Sequence, residues 1–407
     1  MGHTVYSMPS VNPTCFHVSA SSISAFKDCP TRFRLAYREG LRSAADTESQ
    51  RMGTNWHAMH EVWANNYNSY PRDGAYSEET MREMALTAVV GHLNFAYDKT
   101  PASKPVEEWL LEREILLTSF IGYLWFYQTD PIEYLVSELP FELPINSPRT
   151  GLPLPLTEAL RVGKIDHIVR WQGAVGALER KSTARNIAPD SDYWDKAKKD
   201  TQVSMYAMAF RDMNFASYKM KGLTLNPGER FGNTLYDVWH KPTIKPAMLT
   251  QAETAAFVES GEYQGVKFAV ARIAETVMTV DGAPTTVEIG KKGYAIRETV
   301  QMYGARLLAD IYARPDFYYV RREIARTDQD IQSFRKQLYA VYQNMKAAAK
   351  MDLWVENEHQ CRATYPCPYI PICYGPGADA VCDGKTTPQG YKRIFVSLTV
   401  NEQEIEQ

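Results

Sequence analysis

The stretch "GKIDHIVRWQGAVGALERKSTAR", residues 163–185, decides how this chain is to be read. Two apolar runs each end in charge: Asp166 closes the first, and Glu179 and Lys181 close the second. Their β-branched and small apolar content predicts strands over 160–170 and 174–181, with the residues between Trp171 and Gly173 as a short hairpin connection. Side chains two apart on a strand share a face, so Glu179 and Lys181 point the same way, and the hairpin brings Asp166 beside Glu179. Two carboxylates side by side among apolar residues repel unless a cation lies between them. A hard divalent ion with oxygen ligands fits, and Mg²⁺ keeps waters that can attack a phosphate. Lys181 would then face the attacking water or the developing charge. The same residues also fit a surface hairpin with an ordinary Glu–Lys pair, so the rest of the sequence has to decide.

Outward from this core the periodicity changes twice. Upstream, residues 19–42 read as a helix capped by Ser21 or Ser22 and kinked or interrupted at Pro30. Further helices are predicted through 53–67, over 77–97 and over 106–127, and a strand over 133–145. Downstream, a helix is predicted over 192–214, a strand over 232–240, and helices over 299–313 and 328–350. Residues 383–407 read as a poorly specified tail. Helices, a strand cluster, a helix, a strand and more helices predict an α/β fold with a central mixed sheet and a helical N-terminal part.

Composition narrows the function. The chain has 407 residues, with 45 Lys and Arg against 48 Asp and Glu, so no global field announces a nucleic-acid partner and any such surface is a local patch. No apolar run of about eighteen residues and no charged-then-apolar leader is visible, so neither a membrane span nor a secretory signal is expected. Six cysteines are too few for a disulfide scaffold of this size, and four of them lie between 361 and 382, a clustering that points to metal ligation.

Three other features bear on the acid–acid–lysine set. In "GTNWHAMHE", Gly53, His57 and Glu61 recur at four-residue steps on one helical face; His60 beside them reads as an ordinary core or surface histidine. In "TQVSMYAMAF", Gln202 and Tyr206 are likewise spaced i, i+4, where an amide and a phenol can hold a phosphate backbone, or simply form part of an amphipathic helix. Glu138 interrupts an otherwise apolar strand, either as support for the site or as a solvent-facing acid.

In this order "SASSISAFKDCPTRFRLAY", "GTNWHAMHE", "GKIDHI", "ALERKS" and "QVSMYA" resemble the motifs of RecB-like nucleases of the PD-(D/E)XK superfamily. The resemblance extends to "ARPDFYYVRREIARTDQDIQSF" and the cysteine cluster, covering roughly residues 17 to 375. It implies a restriction-endonuclease-like core at about 130–245 in a single domain over 17–382, with a helical part at 17–130 and a cysteine segment at 355–382. It further implies that His57, Asp166, Glu179 and the backbone carbonyl of Arg180 hold Mg²⁺ or Mn²⁺, that Lys181 assists the attacking water, and that Gln202 and Tyr206 contact DNA. Some members, of CRISPR-associated, AddB-like or phage exonuclease type, carry an iron–sulfur cluster clasped by one N-terminal and three C-terminal cysteines. Here those are Cys29, Cys361, Cys367 and Cys373, with Cys382 the alternative to Cys361 and zinc the alternative to a [4Fe-4S] cluster.

Basic residues gather where such a reading needs them: Lys27, Arg32, Arg34, Arg38 and Arg42 near the start, and Arg180, Arg185, Lys196, Lys198 and Lys199 around the lysine strand and the helix after it, of which Arg185 and Lys198 are the candidate DNA contacts. Tyr193 and Trp194 beside them are candidates for stacking on unpaired bases. No P-loop is present, so the chain is not itself a P-loop helicase. The expected activity is a metal-dependent DNA exonuclease acting on single-stranded or free ends in recombination, repair or viral DNA processing. The expected setting is the cytoplasm of a prokaryote or of a viral host, with a helicase or recombination protein as partner. A structure-selective endonuclease and a non-catalytic DNA-binding scaffold are the competing readings.

Overall fold

The computed structural model describes residues 15–45, 47–70, 74–129, 132–213, 233–274, 277–290, 293–363, 365–383 and 387–394. Strand β1 (Phe16–Val18) leads into helix α1 (Ala20–Asp28). Its cap is Ser19, not Ser21 or Ser22: the Ser19 hydroxyl accepts the Ser22 N–H and the Ser22 hydroxyl accepts the Ser19 N–H. The helix stops at Cys29, which is extended, and Pro30 opens α2 (Pro30–Phe33). A π turn at Arg34–Arg38 and strand β2 (Leu41–Ser43) follow. The single helix expected over 19–42 is therefore broken, because proline suits the first position of a new helix better than the middle of an old one.

Helix α3 (Glu48–Ser69) starts at a Thr47–Gln50 capping box, earlier than the periodicity indicated. Helices α4 (Glu78–Ala96) and α5 (Val106–Phe126) and strands β3 (Glu133–Pro144), β4 (Ala159–Trp171) and β5 (Ala174–Thr183) lie close to their expected ranges. The β4–β5 turn is Gln172–Gly173, both at positive φ (48° and 78°), as a two-residue hairpin of the observed twist requires. The helix expected over 192–214 is two, α6 (Asp192–Ala197) and α7 (Thr201–Asp212), because the Asp200 carboxylate accepts the N–H groups of Gln202 and Val203 and so starts a new helix. Residue 214 lies outside the described residues, as does residue 232 before β6 (Thr234–His240).

Next comes a segment the sequence did not signal: α8 (Gln251–Ser260), the small hairpin β7 (Glu262–Tyr263) and β8 (Val266–Lys267), then β9 (Val270–Ala274), β10 (Val277–Val280), β11 (Ala283–Gly290) and β12 (Gly293–Ile296). The last four form an antiparallel sheet over a small core of Phe257, Met278, Val280 and Ile296. Helices α9 (Val300–Ala313) and α10 (Pro315–Tyr318), strand β13 (Tyr319–Ile324), helices α11 (Asp328–Met351) and α12 (Ile370–Cys373), and strand β14 (Tyr391–Arg393) complete the chain.

The main sheet runs β1-β4-β5-β6-β13, with β3 also pairing β4. β1–β4 and β5–β6 are parallel, the other pairs antiparallel, so the sheet is mixed. On one face α1, α7 and α11 bury Ile23, Met205, Ala209 and Tyr342 against Phe141, Ile168, Val175 and Ala177. On the other, α3, α5 and α9 pack Trp56, Phe120 and Leu307 around Trp239 and Tyr319. Each fully buried side chain of this size contributes about 1.5–3 kcal/mol relative to exposure. This is the expected α/β architecture, a central mixed sheet flanked by helices. Gly163 is required in β4: a Cβ there would lie 2.5 Å from the ring of Phe141, its register partner on β3.

The expected tail is in part a built element. β14 pairs antiparallel with β2, Tyr391 with Ser43 and Arg393 with Leu41, while residues 395–407 lie outside the described residues. Among the described residues no helix is long and apolar enough to cross a membrane.

Candidate active site

The antiparallel register of β4 and β5 sets His167 opposite Leu178, and one step further faces Asp166 with Glu179. Both carboxylates are buried. The Arg180 N–H donates to Asp166 Oδ2 at 3.2 Å, and His57 Nδ1 stands 3.2 Å from the same oxygen. Lys181 Nζ donates to Glu179 Oε1 at 2.5 Å and to Gln202 Oε1 at 2.7 Å. Gln202 Nε2 donates in turn to the Tyr206 hydroxyl at 2.8 Å, which donates to the Lys164 carbonyl at 2.5 Å. The structure thus brings His57, Asp166, Glu179, Lys181, Gln202 and Tyr206 together from α3, β4, β5 and α7.

Local sequence explains each placement. The Glu-x-Lys spacing puts both charges on the α7 face of β5. On α7 the four-residue step between Gln202 and Tyr206 stacks amide over phenol. His57 reaches the carboxylates because α3 lies close to β5: one turn before it, a Cβ on Gly53 would stand 3.1 Å from Ser182 Oγ. His60, on the same helix, turns into the core, where Trp56, Phe120 and Tyr123 surround it edge-on.

Electrostatics couple the acids. Burial opposes ionisation of Asp166, yet the facing His57 and Lys181 hold it well below the usual carboxylate range. Burial and the Asp166 charge push Glu179 up to about 7, against the pull of Lys181. Burial also opposes the Lys181 charge, but Glu179 and Asp200 together raise its pKa. Asp200 was not singled out from the sequence, although an aspartate directly before a helical run is a capping signature. The proton affinities of the two neighbouring acids are therefore pushed in opposite directions, an arrangement common where groups have chemical work.

Lys181 and His57 stand against the two carboxylates here, and among the described residues no three His, Cys, Asp or Glu side chains stand in metal-ligating positions. The donor set nevertheless suits a hard divalent ion. It offers two carboxylates and an imidazole, and Glu179 Oε2 is buried with no hydrogen-bond partner, a group that costs free energy until a donor or cation meets it. Glu138, read as a support or a solvent-facing acid, pairs with Lys164 and holds a positive φ of 55° where β3 passes Asp166.

The outlying candidates divide. Arg185 and Lys198 are exposed and paired with Asp192 and Asp195, each at 2.7 Å. Trp194 is buried, its indole N–H donating to the Ile187 carbonyl at 2.9 Å, so it is not available to stack on a base; Tyr193 is half-buried. The early basic run is mostly structural: Arg34 pairs with Asp379 at 2.5 Å and Asp352 at 3.1 Å, Arg32 with Asp28, and Arg42 donates to the Ala36 and Leu41 carbonyls.

Burial, the Glu356 charge and then the charges of Cys367, Cys29 and Cys361 make Cys373 resist ionisation, so the four thiols share one neighbourhood, although no three of them stand in metal-ligating positions among the described residues. The Cys367 N–H donates to the Cys361 carbonyl at 2.9 Å, which ties the two C-terminal thiols in one turn. Cys382 lies beside Glu39, Arg34 and Asp379 and packs on the same small core as Cys367 and Cys373. All six cysteines are free thiols.

No curated protein and no solved structure matches the chain. The sequence profile of the PD-(D/E)XK nuclease superfamily, whose members are nucleases that generally use divalent metals such as Mg²⁺ or Mn²⁺, matches residues 17–374. That span contains the mixed sheet, its flanking helices and the whole acid–acid–lysine site, and the chain belongs to that superfamily.

Proposed function

We propose that the protein is a metal-dependent deoxyribonuclease that hydrolyses phosphodiester bonds from free, preferentially single-stranded DNA ends. The observation that carries this reading is the convergence of Asp166, Glu179 and His57, with the unpartnered buried Glu179 oxygen and Lys181 on the same face. His57, Asp166, Glu179 and the Arg180 carbonyl would hold Mg²⁺ or Mn²⁺. Such an ion, when bound, polarises a phosphoryl oxygen and lowers the pKa of its water. Lys181 orients the attacking water and meets the charge that develops on the phosphate.

Gln202 and Tyr206, first read as phosphate contacts, have their polar atoms engaged with Lys181 and the Lys164 carbonyl; we assign them to holding the lysine in place. Arg185 and Lys198 are retained as phosphate contacts. Their present partners are exposed carboxylates, and such surface pairs contribute only about 0–1 kcal/mol, which a phosphate can readily displace. The four gathered thiols are proposed to hold a [4Fe-4S] cluster or zinc with a structural role, Cys361 being favoured over Cys382 by its place among the others. Attack at ends, rather than at internal junctions, rests on the resemblance to RecB-like enzymes, as does a role in recombination, repair or viral DNA processing.

Anaerobically purified protein incubated with end-labelled single- and double-stranded DNA, with Mg²⁺, Mn²⁺ or EDTA, tests the reading. Metal-dependent loss of nucleotides from one end is expected. Cleavage only at internal junctions replaces it with the endonuclease, and salt-sensitive binding without any cleavage replaces it with the scaffold.

A further inference from the structure

We infer that the buried row Arg180–Asp237–Arg321 is a positioning device for the strand that carries Glu179 and Lys181; what it positions rests on the nuclease reading, the row itself does not. Because the acid and the lysine share one face of β5, the residue between them must point to the other face. That residue is an arginine, and it is fully buried. Its register partner on β6 is Asp237, and the register partner of Asp237 on β13 is Arg321. Three charges thus line up across three neighbouring strands, at the height between Glu179 and Lys181.

The side chains meet across that row. Arg180 Nε and Arg321 Nε lie 3.7 and 3.6 Å from the same Asp237 oxygen, to which the Tyr123 hydroxyl also donates. Arg180 donates to the Tyr134 hydroxyl at 2.7 Å, and Arg321 donates to the Tyr123 hydroxyl at 2.6 Å with its guanidinium 3.5 Å from the centre of the Tyr127 ring. Phenols from α5 and β3 therefore hold both ends of the row.

A central strand does not need this for stability, since apolar residues of similar volume fill such positions without desolvating charge. What the row adds is a register that cannot slip. A shift of β5 by one residue would turn Arg180 into the active-site face and drive Glu179 or Lys181 among Tyr123 and Tyr134. The planar guanidinium adds a fixed azimuth that a flexible ammonium does not. Together these set the height and rotation of Glu179 and Lys181 relative to Asp166 on β4.

Arg180→Met keeps an apolar stem and leaves Asp237 paired with Arg321. The first readout is hydrogen exchange at the amides of residues 178–182 in metal-free protein, which requires no cleavage. We expect exchange there to quicken by at least about tenfold while the amides of β9–β12 stay unchanged. With DNA, kcat should fall by at least about tenfold with KM within about threefold, and Arg180→Lys should recover part of both losses, since charge returns without the fork. Unchanged exchange along β5 overturns the inference, whether or not the wild-type protein cleaves DNA. Quickened exchange in a protein whose wild type never cleaves supports the positioning role and removes the nuclease reading instead. If Arg180→Met does not fold, Arg321→Met carries the same test with the same two outcomes, because it leaves Asp237 paired with Arg180 and touches no residue of the site.

Discussion

Glu179 bears the largest conflict in the site, since its carboxyl is buried beside another acid and rises to about 7. In the unfolded chain it has an ordinary value near 4.5. Between those values the folded state holds a proton that the unfolded state has released, so metal-free stability falls as pH rises through that window. A divalent cation relieves the penalty only where the carboxyl is ionised. The Mn²⁺-induced rise in melting temperature should therefore be larger at pH 8 than at pH 5.5; equal rises would show that Glu179 does not meet the ion. Substitution separates chemistry from folding. Asp166→Ala and Lys181→Ala should each reduce metal-dependent cleavage by at least about a thousandfold. Asp166→Ala should melt within a few degrees of wild type, because it also removes the repulsion on Glu179. Full activity in either variant would sink the assignment.

The closeness of α3 to β5 is a property of the element, felt at Gly53, where a Cβ would press on Ser182 Oγ at 3.1 Å and a larger side chain would crowd it further. Gly53→Val should cost about 1–3 kcal/mol by overpacking and, by pushing His57 away from Asp166, abolish cleavage. Gly91 in α4 is the control: nothing lies near its Cβ position, so Gly91→Ala should raise stability by about 0.5–1 kcal/mol with activity unchanged, as chemical unfolding and a cleavage assay would show. Elements are also where the sequence was most and least legible. β4 and β5 could be read because both are long, apolar and joined by a turn that ends in a glycine. Their charged ends, read together, also led to the candidate site. β1 could not, since three residues carry no period and its partner is the distant start of β4. β9–β12 were missed because most of their side chains are exposed and leave no core stripe to detect. The break before α7 was hidden because Asp200 looks like one more helical residue until its capping bonds are seen. Arginines 34 and 42 looked like a DNA surface; only the fold reveals that distant carboxylates already hold Arg34 and that carbonyls of its own turn hold Arg42.

At the scale of the molecule an early and a late segment of the described residues are fastened to each other. The Tyr369 hydroxyl donates to the Leu41 carbonyl at 2.7 Å, Arg393 pairs with Glu39 at 3.0 Å, and β14 extends β2 beside the gathered thiols. Cys367→Ser should remove any visible absorbance of the anaerobically purified protein and lower its melting temperature; unchanged colour and melting would refute a cluster there. Deleting residues 387–407 should also lower the melting temperature by several degrees, whereas an unstructured tail would leave it unchanged. The fastening sets an order of events during synthesis. Arg393 and Glu39 are 354 positions apart, so a ribosome will have made everything between them before this pair can form. A polypeptide released before β14 is made would present β2 with a bare edge and would be recognisable to proteases as unfinished. Synthesis through Arg393 is then a condition for a fastened fold.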